Sequence, residues 1–166
     1  MDERHYNVLF ICTGNSARSI MAEVIMNHLD GKRFKAFSAG TQPRGEIHPT
    51  TLRVLSDQGY SLEGLRSKSR EEFANPAAIK MDYIFTLCDQ AAGEACPAWP
   101  GQPVTAHWGF TDPTQVTGTL EEQARAFWHL ESELVTRLRL FMDLPVETLD
   151  KLSLQTEFNK LGQPEG

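Results

Sequence analysis

Residues 6–19 read YNVLFICTGNSARS, an apolar run that ends at a cysteine and passes into a polar loop. Every position from Val8 to Ile11 is apolar, which is typical of a parallel strand that is buried on both faces. The Thr, Gly, Asn and Ser that follow Cys12 favour loops over packed structure. The stretch therefore predicts a strand, a tight loop and a helix, and it leaves open whether Cys12 is a core residue or a reactive thiol.

The rest of the chain alternates predicted strands and helices, which indicates an α/β fold with a parallel sheet. We predict one domain, a three-layer α/β/α arrangement around a four-stranded parallel sheet, with the Cys12 loop between strand 1 and helix 1. In this prediction residues 1–145 form the main domain, and residues 146–166 form a C-terminal helical extension packed on it or next to it. The predicted strands are 6–11, 34–39, 83–87 and 103–108. Three of the predicted helices are 17–29, 49–58 and 147–161. A short helix is predicted from a capping box of Ser69 and Glu72, and a long helix is predicted to begin with a second box, Thr119 and Glu122, and to end at Pro145.

The composition of the chain excludes several classes of protein. The 166 residues carry a net charge of −6, which argues against a general nucleic-acid binder. No apolar run approaches the roughly 18 residues that cross a bilayer, and the charged N-terminus lacks the apolar region of a secretory signal. We therefore expect a cytoplasmic protein without a membrane or nucleic-acid partner. Its three cysteines, an odd number, argue against a structural disulfide framework.

The Cys12 loop has the spacing Cys-x5-Arg and the residue types of an oxyanion site. Backbone N–H groups of a tight loop can converge on an anion, and the following helix adds its positive end. Gly14 permits backbone angles that other residues resist, Asn15 tolerates the left-handed region, and Arg18 offers a planar fork for two oxygens. The same field favours a thiolate at Cys12, to which Ser19 can donate a hydrogen bond. The predicted oxyanion-binding residues are Thr13, Gly14, Asn15, Ser16, Ala17 and Arg18. The simpler alternative is an ordinary turn with a buried cysteine and a solvent-facing arginine.

Two further candidates follow later strands. Cys88 comes at the end of strand 3, and Asp112 follows strand 4 and precedes Pro113. Ligands of such sheets bind beyond the C-terminal ends of the strands, so these residues and Cys12 should meet at one edge. Asp-Pro is also a common start of a turn, which leaves a purely structural role open for Asp112.

Three motifs, in order along the chain, resemble the low-molecular-weight protein tyrosine phosphatase superfamily. They are CTGNSARS from Cys12, SAG after the second strand, and the late Asp-Pro pair. Two more stretches, TLCDQAAGEACP at 86–97 and HWGFTDP at 107–113, resemble the arsenate reductases of that superfamily. The resemblance covers about residues 6–143 and implies the fold of the superfamily. It also implies the reduction of arsenate to arsenite in arsenic detoxification.

For individual residues, the resemblance implies catalytic roles. Cys12 is then the nucleophile that attacks arsenic, Arg18 and the loop amides hold the oxyanion, and Asp112 is the general acid. Cys88 and Cys96 complete a three-cysteine relay, in which a Cys12–Cys88 disulfide is followed by a Cys88–Cys96 disulfide. An external thiol donor reduces the last disulfide, either thioredoxin or glutaredoxin with glutathione, and the sequence does not choose between them. Phosphate and sulfate are expected to compete with arsenate.

The resemblance also concerns metals and cofactors. Some arsenate reductases of this type bind potassium beside the loop. The corresponding region here, around Ser67 and Lys68, has a cation where an acid would be expected. We therefore predict no essential metal and no bound cofactor.

Two other functions remain open from the sequence. A low-molecular-weight phosphatase would hydrolyse phosphate monoesters through a cysteinyl-phosphate, and it would need neither of the later cysteines. Ala17 stands where such phosphatases commonly have a second cysteine, and Thr114 and Gln115 stand where they have tyrosines, which weakens this alternative. A non-catalytic oxyanion-binding module is the third possibility, and it would need neither a cysteine nor an acid.

Overall fold

The structure, a computed structural model, describes residues 5–74, 79–89 and 103–162. Within these ranges four parallel strands form one sheet in the order β2-β1-β3-β4. The strands are β1 (Tyr6–Cys12), β2 (Phe34–Gly40), β3 (Tyr83–Thr86) and β4 (Val104–His107). The helices are α1 (Arg18–Asp30), α2 (Pro49–Asp57), α3 (Glu71–Ala74), α4 (Leu120–Met142) and α5 (Lys151–Leu161). The predicted α/β fold with its four-stranded parallel sheet is confirmed.

β1 lies inside the sheet and is covered on both faces. Its residues from Val8 to Cys12 are at most 2% exposed. Val8 and Phe10 pack into the main core, whereas Leu9 and Ile11 pack into a second cluster on the opposite face. Because both faces of the strand are buried, its sequence is continuously apolar instead of alternating.

The main core fills the space between one face of the sheet and helices α1, α2, α4 and α5. Aromatic rings dominate it, and the ring centroids of Phe85 and Phe141 lie 5.5 Å apart in an edge-to-face arrangement. On the opposite face α3 contributes Phe73, whose ring centroid lies 5.8 Å from that of Phe37. Helices therefore contact both faces of the sheet, as the three-layer prediction requires.

The two predicted capping boxes have different outcomes. Thr119 and Glu122 form both halves of the box at the start of α4. At α3 the Ser69 hydroxyl accepts a hydrogen bond from the N–H two residues on, but the Glu72 carboxylate forms an ion pair with Arg66. The predicted reciprocal box at α3 is therefore wrong, because a charged guanidinium binds the carboxylate in place of the helix-end amide.

The last two helices are shorter than predicted. α4 ends at Met142, before Pro145, and Asp143 is its C-cap. α5 begins only after Asp150, whose carboxylate accepts a hydrogen bond from the N–H of Ser153 at 2.8 Å. An acidic residue with a capping hydrogen bond thus fixes the start of α5, whereas the apolar pattern alone placed it four residues earlier.

α5 packs directly against β4. Phe158 is fully buried, and its carbonyl accepts a hydrogen bond from the indole N–H of Trp108 at 3.0 Å. The Gln155 amide donates to the carbonyl of Thr105. This helix therefore contributes side chains to the main core, while a division of the chain at residue 145 stays a prediction. Among the described helices, none combines the length and the apolar character that crossing a membrane requires.

Candidate active site

The loop after β1 is held from outside through its carbonyl groups. The carbonyls of Cys12, Thr13, Gly14 and Ser16 accept hydrogen bonds of 2.9–3.1 Å from the N–H groups of residues 41, 42, 44 and 48. A planar trans peptide directs its N–H opposite to its C=O. The N–H groups of residues 13, 14, 15 and 17 therefore point into the loop, where converging amides form a site for an anion.

The backbone shape of the loop depends on Asn15 more than on Gly14. Asn15 has a φ of 46°, in the left-handed region, as predicted. The glycine-specific backbone angle predicted at Gly14 is wrong, since the positive φ falls on its neighbour. Gly14 instead leaves room for Arg44, whose Nε would lie 3.1 Å from an added Cβ. Gly40 of the SAG motif is similarly constrained, because an added Cβ would lie 2.6 Å from the carbonyl oxygen of Thr13.

A directed chain of hydrogen bonds ends on the Cys12 thiol. The N–H of Lys68 donates to Asn15 Oδ1 at 2.8 Å, which leaves the Asn15 amide group as a donor to Ser19 Oγ at 2.7 Å. Ser19 Oγ lies 2.9 Å from Cys12 Sγ. A thiolate sulfur can only accept, so the Ser19 hydroxyl is the donor to it whenever Cys12 is in that form.

Arg18 opens α1 and is buried beneath the loop. Its side chain is 2% exposed, and Nη1 donates to the carbonyls of Leu87 and Phe110, both at 3.3 Å. The alternative of a solvent-facing arginine is therefore wrong. The N-cap of α1 is Ala17, whose methyl side chain cannot accept a hydrogen bond, so the helix end presents its positive dipole to the loop.

Asp112 lies beside Arg18, with its two oxygens in different environments. Oδ1 accepts hydrogen bonds from the N–H and the hydroxyl of Thr114, at 3.0 and 2.7 Å. Oδ2 lies 3.4 Å from Arg18 Nη2. Asp112 caps a single 3-10 turn, Pro113–Gln115, so the structural and the chemical roles of this aspartate coexist. Thr114 was not predicted as a partner of Asp112, although Asp followed by Pro and Thr is a signal for such a turn.

The second candidate thiol lies at the same edge of the sheet. Cys12 and Cys88 are both reduced and buried, at 2% and 1% exposure. The Leu87 N–H donates to the Ile11 carbonyl at 2.8 Å, so the pairing of β1 and β3 continues up to these cysteines. The register pairs Ile11 with Thr86, so Leu87 lies opposite Cys12 and Cys88 follows one residue further along the same edge. Cys96 lies outside the described residues, so its place in a relay stays a prediction.

His48 and Arg44 border the loop, and the sequence analysis assigned neither of them a role. His48 is half-buried, its Nδ1 accepts a hydrogen bond from the Thr50 N–H, and its ring centroid lies 4.8 Å from that of Phe127. Burial and then the charge of Arg44 lower the pKa of His48, against the opposing effect of Asp112. A neutral ring is the form that can accept the capping hydrogen bond of α2.

The residues beside the loop do not fit a bound potassium ion. Lys68 has an 8% exposed side chain, and its Nζ lies 3.6 Å from Glu23 Oε1 and 3.4 Å from Ser38 Oγ and donates to the Arg66 carbonyl at 3.1 Å. A metal cation bound to these oxygens would meet the ammonium at short range and be repelled by it. Across the three described ranges, no group of three or more His, Cys, Asp or Glu side chains is arranged to hold a metal ion.

Comparisons with known proteins agree with this arrangement. The low molecular weight phosphotyrosine protein phosphatase family matches residues 7–151 of the chain. The arsenate reductase of Bacillus subtilis strain 168 is 34% identical over 136 residues, which cover 82% of this chain and 94% of that protein.

Solved structures give the same result. The arsenate reductase of Archaeoglobus fulgidus has a TM-score of 0.62 at 26% identity, with 80% of this chain and 98% of that chain covered. The thioredoxin-dependent arsenate reductase of Corynebacterium glutamicum has a TM-score of 0.56 at 27% identity, with 85% of this chain and 65% of that chain covered. The chain therefore belongs to the low molecular weight phosphotyrosine protein phosphatase family, and within it is similar to arsenate reductases.

Proposed function

We propose that the protein reduces arsenate to arsenite and uses its own thiols as the immediate source of electrons. The observation that carries the proposal is the presence of two buried thiols, Cys12 and Cys88, at the ends of adjacent strands beside Arg18. Hydrolysis needs one thiol, since water completes it, whereas reduction needs two electrons, which a thiol pair supplies when it becomes a disulfide. The similarity to arsenate reductases supports the same function.

Arsenate binds first in the Cys12 loop. The inward N–H groups of residues 13, 14, 15 and 17 surround its oxygens, and Arg18 adds a planar fork with complementary charge. Arg18 is already fixed by the carbonyls of Leu87 and Phe110, so little of its conformational freedom is lost on binding. Phosphate and sulfate have the same tetrahedral shape and compete for the loop.

Cys12 then attacks arsenic as a thiolate. A sulfur–arsenic bond forms and one arsenic–oxygen bond breaks, while Asp112 delivers the proton that lets this oxygen leave as water. The 3.4 Å distance between Asp112 Oδ2 and Arg18 Nη2 supports this role, because the same guanidinium would hold the anion. Ser19 stabilises the thiolate before the attack through its hydrogen bond to the sulfur.

Electron transfer follows in two disulfide exchanges. Cys88 attacks the sulfur of Cys12, the sulfur–arsenic electron pair passes to arsenic, and arsenite leaves as a Cys12–Cys88 disulfide forms. Cys96 attacks the sulfur of Cys88, which releases the Cys12 thiolate and leaves a Cys88–Cys96 disulfide. The first exchange is supported by the position of Cys88 at the sheet edge of Cys12, one residue beyond the register partner of Cys12.

A thioredoxin-type protein is the proposed external reductant, with no cofactor bound to the chain itself. Its support is the C. glutamicum relative, which is named as thioredoxin-dependent. Glutaredoxin with glutathione is the competing donor. Both donors keep thiols reduced in the cytosol, so the proposal includes a cytoplasmic enzyme.

The test is arsenate-dependent NADPH consumption, with thioredoxin and thioredoxin reductase in one arm and glutathione, glutathione reductase and glutaredoxin in the other. Serine variants of Cys12, Cys88 and Cys96 are compared with the unmodified protein in both arms. Turnover that is lost in all three variants supports the relay, and the faster arm identifies the donor.

Hydrolysis of p-nitrophenyl phosphate by the same proteins separates the phosphatase alternative. If arsenate gives no turnover in either arm while hydrolysis needs Cys12 alone, the protein is a phosphatase and the two later cysteines are structural. Phosphate binding that survives Cys12→Ser in a protein without any turnover would favour a non-catalytic oxyanion-binding module.

A further inference from the structure

Lys68 is a buried cation without a task in the steps above. Its ammonium lies between an α1 residue, Glu23, and a β2 residue, Ser38, and the Ser38 hydroxyl donates to the Glu23 carboxylate at 2.5 Å. Glu23 is itself only 17% exposed. Burial lowers the pKa of Lys68, whereas the charge of Glu23 raises it. The two charges therefore balance each other inside the protein, next to the Cys12 loop.

The main chain of Lys68 is fixed by the same surroundings. Its N–H donates to Asn15 Oδ1 at 2.8 Å, and its carbonyl accepts from the N–H of Gly40 at 2.9 Å. The Asn15 amide group in turn donates to Ser19 Oγ, which lies 2.9 Å from Cys12 Sγ. One residue thus connects a buried ion pair to the hydrogen bond on the thiol.

We infer that Lys68 is a positioning residue for Cys12, and that its ammonium acts as a built-in cation which keeps the Asn15–Ser19–Cys12 chain in its directed form. The inference rests on the proposed role of Cys12 as nucleophile. An ammonium held by Glu23 and Ser38 fixes the Lys68 backbone N–H against Asn15. A covalently attached cation cannot dissociate, so the unmodified protein does not depend on an added monovalent cation.

Removal of the ammonium leaves Glu23 as a buried carboxylate without its countercharge. Such a group rearranges, takes up a proton or takes up a cation from solution. A surface cavity of about 400 Å³, lined by Glu23, Asn27, His28 and Leu65 among others, connects this carboxylate with solvent. A small cation can therefore reach the Glu23 carboxylate from solvent once the ammonium is removed.

The experiment measures the Cys12 thiolate directly, without arsenate. In a Cys88→Ser, Cys96→Ser background Cys12 is the single thiol, and its ultraviolet thiolate absorbance and its rate of alkylation by iodoacetamide are read at neutral pH. Lys68→Met removes the charge and keeps volume, and Lys68→Ala removes the charge and makes space. Lys35→Met is the matched control, an exposed lysine on β2. We expect both signals to fall about threefold in the Lys68 variants and to stay unchanged in the control.

Addition of small cations distinguishes lost charge from lost packing. Methylammonium, ammonium or potassium chloride should restore the thiolate in Lys68→Ala but not in Lys68→Met, with choline chloride as the control for ionic strength. A thiolate signal equal to that of Lys35→Met in a folded Lys68 variant would overturn the inference, and so would a loss in Lys68→Ala that no small cation reverses. If Lys68→Met does not fold, Lys68→Gln replaces it, and a thiolate signal equal to that of Lys35→Met would again overturn the inference. Because no arsenate is present, the result is independent of whether the protein turns over arsenate or phosphate esters.

Discussion

Replacement of Ser19 by alanine tests the hydrogen-bond chain at its last link. Ser19 Oγ accepts a hydrogen bond from Asn15 and lies 2.9 Å from Cys12 Sγ, to which it donates when Cys12 is a thiolate. A hydrogen bond to a charged group contributes about 1.5–3 kcal/mol. Since about 1.36 kcal/mol is a factor of ten in rate, Ser19→Ala should lower kcat/KM for arsenate about 10- to 150-fold.

The same substitution has a structural cost that must be measured separately. It leaves the Asn15 amide buried without its acceptor, which costs about 1–3 kcal/mol of stability. Urea unfolding measures this loss, and steady-state NADPH consumption with thioredoxin measures the rate. Ser132→Ala, at an exposed position of α4, is the matched control and should change neither quantity. A folded Ser19→Ala protein with kcat/KM within twofold of the unmodified protein would refute the directed chain.

Three further substitutions test the acid, the core and the pH dependence. Asp112→Asn should lower kcat about 100-fold or more. Phosphate should bind this variant at least as tightly, as measured by calorimetry, because Arg18 loses a competing negative charge. An unchanged kcat would remove Asp112 from the mechanism. Phe158→Ala should lower the free energy of unfolding by about 3–5 kcal/mol. The control is Leu152→Ala, at a 76% exposed position of the same helix, which should lower it by less than about 0.5 kcal/mol. Similar urea midpoints of the two variants would contradict the packing of α5. Burial lowers the pKa of His107 from its ordinary 6.5, so its contribution to stability is complete above pH 6.5 and is lost as the pH falls through the lowered value. His107→Gln should therefore show a smaller loss of urea stability on acidification than the unmodified protein, and an equal loss would assign this pH dependence to other groups.

The fold was predictable because its main signals are local. A continuously apolar β1 indicates burial on both faces, and Thr119 with Glu122 indicates the start of α4. The errors lie where a distant or exposed partner decides the outcome. Arg66 takes the carboxylate that was expected to cap α3, and the Asp150 cap sets the start of α5 against the apolar pattern.

The part of the candidate site that lies within the Cys12 loop was predictable from the sequence. Cys12, Arg18 and Ser19 are close in sequence, and their spacing between a strand and a helix fixes where they lie. The reason for Gly40 was not predictable, because it depends on the approach of β2 to the carbonyl of Thr13. The contacts of Lys68 were not predictable either, because its partners lie in α1, in β2 and in the segment before α3. A short sequence motif carries no information about partners in three separate elements.

Arg18 explains why the parts of this site act together. Its guanidinium binds the end of β3 through the Leu87 carbonyl, the segment after β4 through the Phe110 carbonyl, and the candidate acid Asp112. In the proposed mechanism the anion binds the same guanidinium as Asp112, which would bring the anion close to the carboxylate. A proton shared between the two oxygens relieves their repulsion, and that proton is the one needed on the oxygen that leaves arsenic. If Asp112 is the acid, as proposed, binding of the anion also prepares the acid, and Asp112→Asn, which removes the carboxylate charge, should uncouple affinity from rate.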